Sequence, residues 1–266
     1  MNILDRIVAN TTKEVEERKA ITSTQSLEQS KYFERTCYSM HASLVEEGKS
    51  GIIAEIKKQS PSKGIINGEI TIEEVGEGYW RNKASAISVL TDFEFFGGKM
   101  EYLSAVRELV DIPILRKDFI VDEYQLLEAK SIGADVILLI AACLEPKRLE
   151  ELAKFAKSLG LEVLMEVHNL EELERSVNPS LDIVGVNNRN LKTFEVSIDT
   201  SLELLSEIPS EFRKISESGL KDGGIIHKLK KAGYEGFLIG ETFMKTPNPP
   251  KALEALIEDI ERYTVG

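Results

Sequence analysis

The sequence predicts an α/β fold, namely a (β/α)8 or TIM barrel with an N-terminal helical extension. Short apolar runs rich in Ile, Val and Leu alternate with longer amphipathic stretches, and the alternation occurs eight times along the chain. Several amphipathic stretches end at a glycine just before the next apolar run, as at Gly133, Gly160 and Gly233, where glycine typically terminates a helix. Eight strand–helix units of this kind predict a closed parallel barrel.

The barrel is predicted to occupy residues 49–266 and the extension residues 1–48, within a single domain, because no Pro/Ser/Gly-rich linker divides the chain. In the extension, apolar residues between Ile3 and Val8 follow helical spacing, and a second short helix is expected at 41–47. A doubly wound open sheet is the alternative fold, but no strand is followed by a Gly-x-Gly-x-x-Gly turn. The predicted barrel strands are 52–57, 84–90, 112–117, 134–140, 161–167, 182–187, 213–217 and 236–240.

Composition and charge narrow the class of protein. The net charge of −12 argues against a nucleic-acid surface, which is normally basic. No apolar run approaches the roughly 20 residues of a membrane span, and the N-terminal segment lacks the pattern of a signal peptide. Cys37, Cys143 and three scattered histidines form no metal-ligand pattern. We therefore expect a cytoplasmic protein without metal or other cofactor, and a monomer or at most a weak dimer.

Polar residues collect where the predicted strands end. These positions include Lys57, Lys117, Glu166, Asn187 and Glu217, whereas the strand starts contain few such groups. In a barrel, the carboxyl ends of the strands form the active site. Surface charges would instead scatter among the helices, so this asymmetry predicts an enzyme.

Strand alternation indicates which of these side chains point inward. Glu55 and Lys57 share a face of the first strand, and Lys117 shares one with Leu115, so that the strand-end charges can all face the barrel interior. Arg116 then points outward, where it could pair with another charge. The alternative to an active site is a set of structural ion pairs inside the barrel whose charges neutralise each other. Buried ion pairs, however, stabilise a protein poorly compared with apolar replacements.

Two further positions predict a phosphate site. Strand seven ends in Ser218-Gly219 and strand eight in Gly240-Glu241, and the loops after these two strands often hold phosphate in barrels. His168, which follows the fifth strand, is interpreted instead as a loop histidine that satisfies its hydrogen bonds locally and does not point inward.

The order of long motifs resembles the indole-3-glycerol phosphate synthase family over essentially the whole chain. The motifs that carry the resemblance are IAEIKKQSPSKG (53–64), SVLTD..FFGG (88–98), PILRKDFIVDEYQ (113–125), GADVILLI (133–140), LMEVHN (164–169), VGVNNRNLKTFEV (184–196), ESG (217–219) and LIGETFM (238–244). The resemblance implies ring closure, decarboxylation and dehydration of 1-(2-carboxyphenylamino)-1-deoxyribulose 5-phosphate, a small phosphorylated substrate, in tryptophan biosynthesis. It also implies that the helical extension covers part of the active-site mouth.

The resemblance also implies roles for individual residues. Lys117 would protonate the alkoxide during ring closure, and Glu166 and Glu55 with Lys57 would serve the dehydration, the four charges forming one ring of strand-end groups. Contacts to the ribulose hydroxyls and carboxylate would come from Asn187, Arg189, Glu217 and Ser218. Phosphate would lie near Ser60, Gly219, Gly240 and Glu241, and the apolar wall for the anthranilate ring would consist of Phe96, Phe119 and Leu138.

Three alternatives are open at this point. Phosphoribosylanthranilate isomerase, another barrel with a sugar-phosphate substrate, would require a catalytic Cys where this chain has Lys57. A Schiff-base aldolase would use a strand-end Lys but gives no reason for the surrounding carboxylates. A non-catalytic barrel that binds phosphate would have no need to keep buried charges that cost stability. The role of Lys63, in the turn after the first strand, is unassigned.

Overall fold

The computed structural model describes residues 3–61, 64–68, 70–191 and 193–264. Eight parallel strands close into a barrel in which each strand pairs with the barrel strands that precede and follow it in sequence, and the first pairs with the last. This closure confirms the predicted (β/α)8 barrel and excludes the doubly wound open sheet. The barrel strands are β1 (Ile52–Ile56), β4 (Ala86–Leu90), β5 (Ile114–Lys117), β6 (Val136–Ile140), β7 (Glu162–Val167), β8 (Ile183–Asn187), β9 (Arg213–Glu217) and β10 (Gly236–Ile239).

The helices connect successive strands on the outside of the barrel. The sequence predicts eight connecting helices, at 71–83, 99–109, 122–132, 145–158, 169–177, 198–208, 221–232 and 250–263. Seven of them agree with the structure to within about two residues at each end, and the exception ends earlier, at Leu204 instead of 208. A four-residue helix, α11, was not predicted. The helices after β1 are α4 (Ile72–Arg81), α5 (Met100–Arg107), α6 (Glu123–Ser131), α7 (Pro146–Ser158), α8 (Leu170–Ser176), α9 (Asp199–Leu204), α10 (Gly223–Ala232), α11 (Glu241–Met244) and α12 (Pro249–Thr264).

Two apolar cores lie on the two faces of the sheet. The inner core fills the barrel with side chains that include Ile53, Leu115, Leu164 and Ile215. The outer core lies between the strands and the helices and contains the alternate strand residues, such as Ala54 and Ile114. This partition confirms the inward faces expected from strand alternation.

The N-terminal extension consists of α1 (Ile3–Ile21), α2 (Thr24–Glu28) and α3 (Met40–Ser43). The expected helix at 41–47 is shorter and starts one residue earlier, because Met40 and Leu44 both insert into the inner core and the chain turns directly after them. The Asp135 carboxylate, fully buried, binds Arg35 at 2.6 Å, the backbone N–H of Tyr38 at 2.7 Å and Arg107 at 2.8 Å. These contacts fasten the extension to the barrel.

Arg116 points outward, as expected, and is buried between β5 and α6. Its Nη2 lies 2.9 Å from Asp118 Oδ2 and 3.4 Å from Glu128 Oε2. Glu128 in turn accepts two hydrogen bonds from Arg18 of α1, at 2.6 and 3.2 Å. A chain of paired charges therefore joins the extension to the strand that carries Lys117.

A short antiparallel hairpin follows β1, formed by β2 (Gln59–Ser60) and β3 (Gly64–Ile65). Lys63, whose role was unassigned, lies outside the described residues. Among the helices described, none is long and apolar enough to cross a membrane.

Candidate active site

The centre of the site is the Lys117 ammonium group at the end of β5. Its Nζ lies 2.7 Å from Glu217 Oε2 on β9 and 3.0 Å from Glu166 Oε2 on β7. The three side chains are between 2% and 14% exposed. One buried cation therefore bridges two buried carboxylates at the carboxyl ends of three different strands.

This arrangement separates the pKa values of the three groups. Burial acts to lower the pKa of Lys117, but the carboxylates of Glu166, Glu217 and Glu55 raise it well above its usual value. Burial acts to raise the pKa of Glu166, yet Lys117 and the neighbouring donors hold it well below its usual range. For Glu217, burial outweighs Lys117 and raises the pKa to about 7. In the resting site, Lys117 is thus held as the ammonium and Glu166 as the carboxylate, whereas Glu217 can hold a proton near neutrality.

Lys57 and Glu55 form a separate pair at the end of β1, with Lys57 Nζ 2.6 Å from Glu55 Oε1. Both side chains line the same cavity as Lys117 and Glu166, and the Glu55 carboxylate contributes to the raised pKa of Lys117. Alternation puts both side chains on the inner face two residues apart, and they bind each other across that short separation. The second partner of Lys117 is Glu217 and not Glu55.

Two glycines make room for these carboxylates. A Cβ added at Gly240 would lie 2.4 Å from Glu55 Oε1, and one added at Gly185 would lie 2.5 Å from Glu217 Oε1. Both separations are far below contact distance, so an alanine at either position would displace a carboxylate. Glu217 Oε1 is also buried without a hydrogen-bond partner among the described residues, as expected where a substrate or a proton completes the site.

Asn187 links Glu166 to the next loop. Its Nδ2 donates to Glu166 Oε1 at 3.1 Å, and its Oδ1 accepts from the backbone N–H of Arg189 at 3.0 Å. The Arg189 guanidinium lies 3.8 Å from Glu241 Oε2. A cation from the loop after β8 therefore reaches the loop after β10.

The turn after β9 has an unusual backbone. Ser218 and Gly219 both have positive φ angles, 69° and 76°, which a serine adopts only when its surroundings hold it there. Asn188 Nδ2 donates to the Ser218 carbonyl at 3.0 Å and supplies such a constraint. A Cβ at Gly219 would approach Val196 to 2.6 Å, so only glycine fits this turn.

An apolar wall lies opposite the charges. The Phe96 and Phe119 rings are 6.1 Å apart between centroids and inclined by 33°, an arrangement typical of attractive aromatic pairs. The Asp92 carboxylate accepts the backbone N–H groups of Phe95 and Phe96, at 2.8 and 3.1 Å, and so fixes the loop that carries this wall.

These groups surround one cavity of about 430 Å³ at the carboxyl ends of the strands. Its volume falls within the range of small-molecule sites. Every residue predicted from the sequence as catalytic or substrate-binding lines it: Glu55, Lys57, Ser60, Phe96, Lys117, Phe119, Leu138, Glu166, Asn187, Arg189, Glu217, Ser218, Gly219, Gly240 and Glu241. The described part of the chain contains no cluster of three or more His, Cys, Asp or Glu side chains suited to a metal ion.

A sequence profile of the indole-3-glycerol phosphate synthase family matches residues 4–256. The chain belongs to this family. The indole-3-glycerol phosphate synthase of Bacteroides thetaiotaomicron is 46% identical over 260 residues, 98% of this chain and 99% of the relative. That of Laribacter hongkongensis is 42% identical over 259 residues, 96% of this chain and 98% of the relative.

Solved structures that resemble this one at low identity show the fold alone. The 3-hexulose-6-phosphate synthase of Salmonella typhimurium superposes with a TM-score of 0.61 at 11% identity, over 80% of this chain and 99% of that one. A thiamine phosphate pyrophosphorylase from Pyrococcus furiosus gives 0.59 at 17% identity, over 84% of this chain and 98% of that one. Both likenesses agree with the barrel described above.

As a member of the indole-3-glycerol phosphate synthase family, the chain is an enzyme, a carboxy-lyase of tryptophan biosynthesis. The isomerase, aldolase and non-catalytic alternatives are thereby excluded.

Several residues that line the indole-3-glycerol phosphate synthase cavity were not predicted from the sequence. Ile3, Leu4 and Ile7 come from α1, and Phe194 and Val196 come from the loop after β8. The apolar spacing of α1 was visible in the sequence, and the family resemblance implied that the extension covers part of the active-site mouth, but neither indicated which residues of α1 line the cavity. Lys221 and Lys245 also line the cavity, and a lysine on a polar helix end carries no signal that separates it from an ordinary surface charge.

His168 does not behave as expected. Residues 164, 166 and 168 have the same parity, so the alternation of β7 carries the imidazole toward Glu166, and the inference that it points elsewhere was wrong. Its Nδ1 lies 3.0 Å from Glu172 Oε2, and its Nε2 lies 3.3 Å from Glu166 Oε1. The histidine does find a local partner in Glu172, as expected, but it also contacts a proposed catalytic carboxylate.

Proposed function

We propose that Lys117, Glu166, Glu55 and Lys57 carry the proton transfers by which this enzyme converts 1-(2-carboxyphenylamino)-1-deoxyribulose 5-phosphate to indole-3-glycerol phosphate, carbon dioxide and water. The observation that carries the proposal is the Lys117 ammonium, bridged between two buried carboxylates whose pKa values differ. In ring closure, an aromatic ring carbon attacks the ribulose carbonyl, and the carbonyl oxygen gains negative charge. A fixed ammonium group stabilises that charge and donates the proton.

Dehydration follows the loss of carbon dioxide and requires an acid for the departing hydroxyl group and a base for the proton removed. Glu166 is held as a carboxylate by Lys117 and Asn187, which suits it to the base. The Glu55–Lys57 pair, at 2.6 Å, offers an ammonium proton beside a carboxylate that can orient it. Lys57 also lies where it can hold the substrate carboxylate before that group is lost.

Glu217 and Ser218 are assigned to contacts with the ribulose hydroxyls, together with Asn187. Burial raises the pKa of Glu217 to about 7, so this carboxyl can both donate to and accept from a hydroxyl group near neutral pH. Its unpartnered Oε1 is available for such a contact. Arg189 lies on the same side of the cavity and binds the carboxylate or a ribulose oxygen.

The substrate phosphate is assigned to the loops after β1, β9 and β10. Ser60, Gly219, Gly240 and Glu241 line this end of the cavity. Glycine at two of these positions lets backbone N–H groups approach an anion closely. The anthranilate ring then lies against Phe96, Phe119 and Leu138, at the apolar wall.

The enzyme is proposed to act in the cytoplasm as a monomer or weak dimer. Cys37 and Cys143 are both free thiols, which is typical of proteins in a reducing compartment. The mechanism is proposed to need no metal or other cofactor.

Incubation of the purified protein with 1-(2-carboxyphenylamino)-1-deoxyribulose 5-phosphate, with a chelator and no added metal, tests the proposal. Indole fluorescence should appear in proportion to enzyme concentration. Glu55→Gln and Glu166→Gln should each slow product formation, and His227→Phe, on α10 and away from the cavity, serves as the control. Full activity of both carboxylate variants would refute the assigned roles.

A further inference from the structure

His168 has no role in the reaction described above. Its side chain is 8% exposed and lies between two carboxylates, Glu166 on β7 and Glu172 on α8. Both ring nitrogens therefore face acceptors. Burial acts to lower the pKa of the imidazole, but the two carboxylates outweigh it and raise that pKa to about 9.

The contact on the α8 side is rigid. Glu172 Oε2 accepts the backbone N–H of His168 at 2.8 Å as well as lying 3.0 Å from its Nδ1. Glu172 Oε1 accepts from Asn169 Nδ2 at 2.9 Å, and Asn169, the N-cap of α8, accepts the Glu172 backbone N–H at 2.9 Å. The start of α8 therefore fixes the carboxylate that holds the imidazole.

On the other side of the ring, Nε2 lies close to Glu166 but does not form a well-aligned hydrogen bond with it. Nε2 is 3.3 Å from Glu166 Oε1, yet it is buried without a well-aligned hydrogen bond within the described part of the chain. Asn187 donates to the same oxygen at 3.1 Å, and Lys117 donates to the other oxygen. A small rotation of the Glu166 carboxylate would complete the bond from Nε2.

We infer that His168 is a positioning residue, which Glu172 orients so that its Nε2–H holds Glu166 Oε1 in the direction required for proton removal from the substrate. Without this donor, the Glu166 carboxylate keeps its bonds to Lys117 and Asn187 but can rotate about them. The inference rests on the role proposed for Glu166. According to this inference, His168 and Glu172 join Lys117 and Asn187 in fixing the orientation of the Glu166 carboxylate.

Two conservative variants separate the two ring nitrogens. His168→Gln can place an N–H donor near the position of Nε2, whereas His168→Asn can place one only near Nδ1; His168→Phe keeps the ring and removes both. A hydrogen bond to a charged group contributes about 1.5–3 kcal/mol, so we expect kcat to fall roughly 10- to 100-fold in His168→Phe and His168→Asn. KM should change less than about threefold, since Glu166 acts in the chemical step. His168→Gln should recover most of kcat.

The double variant His168→Phe/Glu166→Gln distinguishes positioning from structural damage. If His168 acts through Glu166, the double variant is no slower than Glu166→Gln alone. The inference would be overturned if the fold-reduction of kcat in the double variant equalled the product of the two single reductions. It would also be overturned if His168→Gln and His168→Phe lost the same fraction of kcat. Thermal unfolding of each variant excludes loss of folded protein as the cause, and His227→Phe is the matched control.

The outcomes also separate the inference from the proposed function. An active Glu166→Gln enzyme refutes the role of Glu166 itself. An inactive Glu166→Gln enzyme together with a fully active His168→Phe enzyme leaves that role intact and refutes only the positioning by His168.

Discussion

Replacing Lys117 with methionine should abolish turnover and make stability depend on pH. Methionine nearly matches the lysine stem in volume but removes the ammonium group that lies 2.7 Å from Glu217 and 3.0 Å from Glu166. At an effective dielectric constant of about 20, each of these pairs corresponds to about 6 kcal/mol of attraction. Desolvation offsets much of it, and removing one partner of a buried ion pair typically costs about 3–5 kcal/mol.

The loss should be larger at high pH. Without the ammonium, the folded-state pKa values of both carboxyls rise above their unfolded values, so the folded variant binds protons that the unfolded chain releases. Stability conferred in this way is present at low pH and is lost as pH rises through the folded pKa. We expect the melting temperature of Lys117→Met to lie about 6–10 °C below that of the unmodified enzyme at pH 8, and closer to it at pH 5.5.

The activity measurement uses indole fluorescence for turnover and titration of a non-reacting substrate analogue for binding. A general acid contributes about 10²- to 10⁴-fold, so kcat should fall at least 100-fold while the analogue binds within about threefold of normal. Lys154→Met is the matched control, because Lys154 is exposed and its pair with Glu150 lies on the helix surface. A kcat within tenfold of normal, or an identical stability loss at both pH values, would refute the assignment of Lys117.

Three further outcomes follow from the same geometry. Glu166→Gln should accumulate an intermediate after ring closure in single-turnover absorbance traces, and smooth conversion to product would reassign that carboxylate. Glu217→Gln should gain stability relative to the unmodified enzyme as pH rises from about 5 to 7, because burial raises the pKa of Glu217 to about 7; a constant difference in melting temperature would contradict this. Gly240→Ala should lower kcat by moving Glu55, whereas Gly48→Ala, with no neighbour near the added methyl group, should cost only stability.

The sequence predicted most of the fold because strand and helix periods differ and each strand end was marked by glycine or a polar residue. It also predicted the faces of the strands, and so the lining of the cavity. It could not predict which charges pair across the barrel, since Glu217 and Lys117 are 100 residues apart and their distance depends on strand tilt. The contact of His168 with Glu166 agrees with strand parity, because residues 164, 166 and 168 share one face.

The family resemblance implied that the N-terminal extension covers the active-site mouth, but its individual contacts could not be predicted. The sequence of an amphipathic helix such as α1 predicts an apolar face, but it does not predict which surface of the protein that face contacts. Ile3, Leu4 and Ile7 line the cavity because long-range contacts hold the extension against the barrel. These contacts include the hydrogen bonds of Arg18 to Glu128 and of Arg35 to Asp135. Periodicity alone contains no information about these contacts.

Gly185 and Gly240 have a consequence for how this enzyme can change. Gly185 lies on β8, next to the strand that carries Glu217, and Gly240 directly follows β10, next to the strand that carries Glu55. Each glycine leaves a volume that the neighbouring carboxylate occupies. A single methyl group at either site therefore acts on the chemistry without altering any charged residue. In directed evolution toward other substrates, we expect substitutions at these two glycines to be selected against. Accepted substitutions should occur mainly in the loops at the carboxyl ends of the strands.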